Sequence, residues 1–387
     1  MKLATRMARI GTETAFEAAA RARALEAQGK DIVHLEIGEP DFDTSPNIRE
    51  AAKKALDQGY THYGPFKGYP ELRKAVVDDI KARRGLEYDP EQVLIMPGAK
   101  PVMYFTMLAF CEEGTDALYP DPGFPIYESM IRFCGAGTIP IPIREENNFR
   151  IDIGELAKLI TPSSRLLIIN SPANPTSGVL TREDLEAIAK IAVEHDLVVL
   201  SDEVYSRILY GREHVSIATF PGMKERTILL DGWSKTYAMT GWRLGYAVVP
   251  EPWIMDMARL VINSVSCVSS FSQMAALEAL TGPQDGVDDM LAEFQARRDL
   301  IVDGLNRIPG ITCLKPEGAF YVFPNVSGTG LTGSQFAERV LLEAGVSTLS
   351  GTAFGRVGVN HVRMSYAASR ERIQTALDRI NDFVAKL

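Results

Sequence analysis

The chain has 387 residues, 46% of them hydrophobic and 24% charged, with a formal net charge of −9. That length exceeds what one hydrophobic core usually serves, so two domains are expected, and the acidic balance speaks against nucleic acid or an anionic membrane as a main partner. The cysteines Cys111, Cys134, Cys267 and Cys313 lie apart, without CxxC or metal-type spacing, which points to reduced thiols of a cytoplasmic protein and to no metal site.

The opening stretch, MKLATRMARIGTETAFEAAARARALEAQGK, has no apolar segment of signal-peptide length. No run in the chain approaches the roughly 18 apolar residues of a membrane span. Apolar and alanine positions have helical spacing over 12–28, stopped by Gly29. DIVHLEIG then reads as a strand ending at Gly38, and helices are expected over 46–58 and 69–84 around the loop GYTHYGPFKG. From there short β-rich runs alternate with helical segments: QVLIM, DALYP, GTIPIPI, RLLIIN, LVVLSD, RTILLD and LGYAVV. RLLIIN and LVVLSD lack polar alternation, as strands covered on both faces should. Alternating strands and helices predict an α/β fold with a mainly parallel sheet flanked by helices. Past about residue 283 the pattern changes to a helix over 287–307, GAFYVF, a helix over 332–343, HVRMSYA and a final helix. These segments read as a smaller α+β domain, 1–45 with 286–387, beside a large domain over 46–285.

In parallel α/β sheets ligands gather beyond the carboxyl ends of the strands. RLLIIN ends in SPANPTSG with Asn174, LVVLSD ends at Asp202 followed by Tyr205, and RTILLD opens into GWSKTYAMTGWR with Ser234, Lys235 and Arg243. QVLIMPG opens into a helix near Gly98, Ala99 and Lys100, and DALYP into DPGFPIY with Phe124. Taken singly, a strand-end Asp is more often a helix cap and Asn174 a turn residue. Together they offer a lysine for an aldehyde and an acid for a pyridine nitrogen. They also offer an arginine with a helix start for a phosphate, and an aromatic face for a ring. That set matches pyridoxal phosphate (PLP).

SPANPTSG, SDEVY, SKTYAMTGWRLGY and HVRMSYA resemble, in order and spacing, the class I aminotransferases of PLP fold type I, the aspartate aminotransferase-like group. The resemblance runs from GEPDF at Gly38 almost to the end of the chain. It implies a seven-stranded sheet and a homodimer with shared sites. Lys235 would hold the aldehyde, Asp202 the pyridine nitrogen, and Asn174 and Tyr205 the ring's phenolate oxygen, with Phe124 stacked on the ring. Ser234, Arg243 and the Gly98–Ala99–Lys100 turn would take the phosphate, joined by Tyr63 from the neighbouring subunit. Arg363 would bind the substrate's α-carboxylate near Gly38. The implied activity is ping-pong transfer of an amino group from an L-amino acid, of the aspartate or glutamate type, to a 2-oxo acid such as 2-oxoglutarate.

Three positions depart from part of the family. Phe124 stands where aspartate-specific members commonly have Trp, Gly232 where some have a phosphate-binding Ser, and PGAKP replaces a Ser-Gly-Thr. Lys100 then lies in a helix's first turn, as a solvated lysine, a phosphate ligand or the partner of a substrate's distal carboxylate. The last of these is the expectation adopted. Open alternatives are a broad or aromatic aminotransferase, a PLP-dependent β-lyase or synthase, and the effector domain of a transcription regulator. The last would need a DNA-binding domain ahead of the strand that begins by Asp31.

Overall fold

The computed structural model describes residues 2–387; Met1 of the expected 1–45 segment lies outside them. Strand β1 is Val33–His34, and seven further strands follow in chain order: β2 Val93–Met96, β3 Asp116–Asp121, β4 Gly137–Pro142, β5 Ser164–Asn170, β6 Val198–Asp202, β7 Thr227–Gly232 and β8 Gly245–Val248. These seven form one sheet in the order β2-β8-β7-β6-β5-β3-β4. All neighbours pair in parallel except β8, which runs antiparallel to both β2 and β7.

Alternation along the strands explains why the middle of a central run such as RLLIIN carries no polar residue. On β5, Leu166 and Ile168 pack to one side with Leu200 and Ile228, while Leu167 and Ile169 pack to the other with Ile188 and Ala192. Both faces are covered by helices there, so all four positions from Leu166 to Ile169 are apolar. GTIPIPI forms the edge strand β4, where Pro140 and Pro142 cost no ladder bond on the open side.

Four short strands complete the chain: β9 Tyr321–Val322, β10 Val346–Ser347, β11 Leu349–Ser350 and β12 Val362–Ser365. β1 pairs in parallel with β10, and β12 lies antiparallel between β11 and β9. The expected DIVHLEIG strand is thus only two residues long, because its partner β10 is equally short. Beyond it, Leu35 donates to the Ser347 carbonyl at 3.0 Å and accepts from Ser365 N–H at 2.7 Å, which carries the backbone on to Gly38.

The helix expected over 332–343 is Gly333–Arg339, started by a capping box between Thr332 and Gln335. It widens into a π-turn at Val340–Ala344 and ends at Gly345, whose φ of 68° suits glycine. The helix expected over 12–28 spans Thr14–Glu26, and the one expected over 287–307 spans Asp285–Leu305.

Candidate active site

The carboxyl ends of β5, β6 and β7 meet at one place. Asn170 at the end of β5 stands opposite Asp202 at the end of β6. Its side-chain amide donates to the Asp202 carbonyl at 3.1 Å and its Oδ1 accepts the Asn174 N–H at 2.8 Å. SPANPTSG is thereby folded back over the end of β6. Beyond these ends lies a cavity of about 320 Å³. Gly38, Ala99, Lys100, Phe124, Asn174, Asp202, Tyr205, Ser234, Lys235, Arg243 and Arg363 all line it.

Asp202 is fully enclosed, and burial pushes its carboxyl up to about 7, with the neighbouring Asp231 and Glu203 adding to the rise. Tyr127 opposes this by donating its hydroxyl to Asp202 Oδ2 at 2.6 Å. The Tyr127 ring meets Phe124 edge to face at 5.8 Å. Behind the site, Arg84 pairs with both Glu203 and Asp231 in a buried cluster. Burial works against Glu203, but His214 and Arg84 hold it at about 2.

Lys235 follows β7, and desolvation brings its ammonium down to about 8. Its Nζ donates to the Gly38 carbonyl at 2.5 Å and lies 5.7 Å from the Phe320 ring centre. The loop from Lys235 must return along the same sheet, since β8 is antiparallel to β7 and Gly232 pairs with Gly245. A Cβ at Gly232 would sit 2.9 Å from Gly245 Cα, so the close pairing of these strands itself demands glycine there. The return ends at Arg243, in left-handed backbone with φ 55°. Arg243 Nη1 donates to Thr240 O at 2.8 Å. Its guanidinium reaches the turn before the helix Lys100–Phe110, where a Cβ on Gly98 would collide with it. Gly98 supports the cavity from behind and does not itself line it.

Arg363, on β12, is buried between the rings of Tyr321 at 4.6 Å and Phe354 at 4.8 Å. It donates to Asn174 Oδ1 at 3.1 Å and to the Glu36 carbonyl at 2.5 Å, while its buried Nε has no partner. Tyr205 and Tyr321 share a hydroxyl hydrogen bond of 2.7 Å. Lys100 lines the cavity as expected but is already engaged, in an ion pair with Glu13. Tyr63 stands 89% exposed and away from the cavity lining.

Sequence reasoning missed Tyr127, Tyr321, Glu13, Phe16, Asn170 and Thr240. Tyr127 had a signal: it falls three residues after Phe124, where a helix start puts both on one side. Glu13 had none, since its partner is distant in sequence. Among the described residues, no three His, Cys, Asp or Glu side chains are grouped to hold a metal, and no helix is long and apolar enough to cross a membrane.

Residues 30–380 match the family described as aminotransferase class I and II. The chain belongs to that family. It is 44% identical to the aspartate aminotransferase of Pyrococcus abyssi over 91% of each chain. It is also 44% identical to aromatic-amino-acid aminotransferase 2 of Thermococcus litoralis over 92% of each. Its fold matches that of the aspartate aminotransferase from Thermus thermophilus with maleate at a TM-score of 0.95, with 37% identity over 99% of each chain. The aminotransferase is PLP-dependent, as its family is. The donor set fits that cofactor. It combines an amine brought down to about 8, a carboxyl raised by burial, and a guanidinium beside a glycine turn at a helix start.

Proposed function

We propose that this aminotransferase moves the amino group of an acidic L-amino acid, glutamate or aspartate, to a 2-oxo acid by ping-pong kinetics, in a homodimer of the cytoplasm. The observation that carries the reading is one cavity shared by a lysine near 8, a buried aspartate and a buried arginine from a different sheet. When bound, PLP supplies an electron sink for the pair left at the substrate's α-carbon.

In this reading Lys235 would carry the aldehyde and its Nζ would move the α-proton, a task suited to an amine whose proton is half lost at about pH 8 and not at the ordinary 10.5. Asp202, oriented by Tyr127, would hold the proton on the pyridine nitrogen. A cationic ring nitrogen there would offset the burial that raises the Asp202 carboxyl. Asn174 and Tyr205 would bind the phenolate oxygen, and Phe124 would cover the ring. Ser234, Arg243 and the N–H groups at Ala99 and Lys100 would bind the phosphate. Arg363 orients the α-carboxylate, its fork fixed by Asn174 and the Glu36 carbonyl. Gly38 leaves room beside it, because any side chain there would strike the Tyr321 hydroxyl. Lys100 stands at the end of the cavity that takes the substrate side chain, and Tyr63 serves the neighbouring subunit's phosphate.

The reading includes two domains, 46–285 and 1–45 with 286–387. Helices beginning at Pro46 and Asp285 support those boundaries.

The test incubates PLP-loaded protein with single amino acids plus 2-oxoglutarate and separates the products. Glutamate formed in step with the donor's 2-oxo acid is expected. Ammonia and pyruvate released without an acceptor would assign a lyase instead.

A further inference from the structure

The proposed function leaves Glu13 without a task. It occupies the N-cap position of the helix Thr14–Glu26, yet its side chain makes no capping bond. It turns instead to the cavity, where it pairs with Lys100. The backbone just before it is fixed, since Gly11 N–H donates to Ser129 Oγ at 2.9 Å and its carbonyl accepts from that hydroxyl at 3.3 Å. Just after it, Ala15 and Phe16 join the cavity wall. Lys100 Nζ lies 5.8 Å from the Phe16 ring centre and 5.6 Å from that of Phe124.

A lysine in the first turn of a helix faces the positive end of the macrodipole, so a carboxylate beside it is favoured whatever its source. Glu13 is one source and an acidic substrate is another. The Glu13 side chain is 15% exposed against 46% for Lys100, so the carboxylate is the more enclosed partner.

We propose that Glu13 is an internal stand-in for the distal carboxylate of an acidic substrate, and that its competition for Lys100 sets the balance between acidic and apolar side chains. This rests on the reading of Lys100 as the side-chain end of the site. With the pair closed, the wall presents Phe16, Phe124 and a neutralised ion pair, a surface suited to aromatic or aliphatic side chains. A dicarboxylate has to displace Glu13 and then tolerate its unpaired charge nearby.

The test measures competitive inhibition of the holoenzyme by glutarate and by 3-phenylpropionate, in the wild type, Glu13→Gln, Lys100→Ala and the double variant. Glu13→Gln is expected to raise the preference for glutarate over 3-phenylpropionate by about 3- to 5-fold, the scale of one partly exposed ion pair. That gain should vanish in the Lys100→Ala background, and Glu13→Asp should fall between Gln and the wild type. An unchanged preference in Glu13→Gln, with a selective glutarate loss in Lys100→Ala, overturns the role of Glu13 and leaves the site reading standing. A gain that persists without Lys100 overturns the competition. No selective loss in Lys100→Ala overturns both.

Discussion

Tyr127 donates its hydroxyl to Asp202 Oδ2 at 2.6 Å, inside surroundings that raise the Asp202 carboxyl to about 7. The bond favours the charged form of the acid, and burial disfavours it. Tyr127→Phe should therefore raise the Asp202 carboxyl further in the cofactor-free protein. It should also lower kcat by about tenfold or more, the scale of a lost bond to a charged group. Carbon-13 titration of the aspartates and steady-state rates check the two halves. A variant with unchanged titration and rate would reduce Tyr127 to packing.

Asp202→Asn keeps the shape and loses the charge. It should fold normally and lose on the order of 10²-fold in rate, as expected for one removed electrostatic stabiliser. Single-turnover kinetics with glutamate measure this, and near-normal rates would take Asp202 out of the site.

Lys235→Ala should abolish transamination while leaving the fold intact by circular dichroism. Borohydride reduction of the wild-type holoenzyme, followed by peptide mapping, should find the cofactor on Lys235. Label on another lysine would refute the assignment.

The pH dependence of Lys235 has a definite sign. Its folded value of about 8 lies below the ordinary 10.5. The neutral amine is the nucleophile, so PLP capture by the cofactor-free protein should rise with pH up to about 8 and level off above it. The same burial costs the cofactor-free fold stability at pH below 8. That cost is relieved as pH climbs from about 8 towards 10.5, where only the unfolded chain still holds the proton. Stopped-flow capture rates with a midpoint near 10.5 would contradict the assignment.

The exposure of Tyr63 fits service to a second subunit. Mixing Tyr63→Ala and Lys235→Ala proteins after mild dissociation should yield hybrid dimers with one intact site and more activity than either parent. Sedimentation of a fully active monomer would end the idea of shared sites.

The residues legible in the sequence were those whose chemistry fixes both type and place. Asp202 ends a strand and Lys235 and Arg243 follow one, at strand ends that the apolar runs announce, and all three line the cavity beyond those ends. The edge position of GTIPIPI was equally implicit in its prolines. Glu13, Tyr321 and the Arg84 cluster were not legible, because each depends on which distant segment lands beside it. Glu13 meets Lys100 across 87 positions of chain, and Tyr205 meets Tyr321 across 116. DIVHLEIG looked like a full strand because its apolar pattern reports burial, and burial here outlasts the hydrogen-bonded ladder. Lys100 lines the cavity, but its pairing with a residue of this same chain was invisible in the sequence.

The single reversed strand of the large sheet has a mechanical consequence. Because β8 pairs with both β7 and β2, Asp202, Lys235, Arg243 and the Gly98 turn all hang from one continuous ladder. Gly38, Arg363 and Glu13 are carried on other supports. The two sides of the cavity are therefore held by separate supports, and a shift of one would break no rung of the sheet that carries the other.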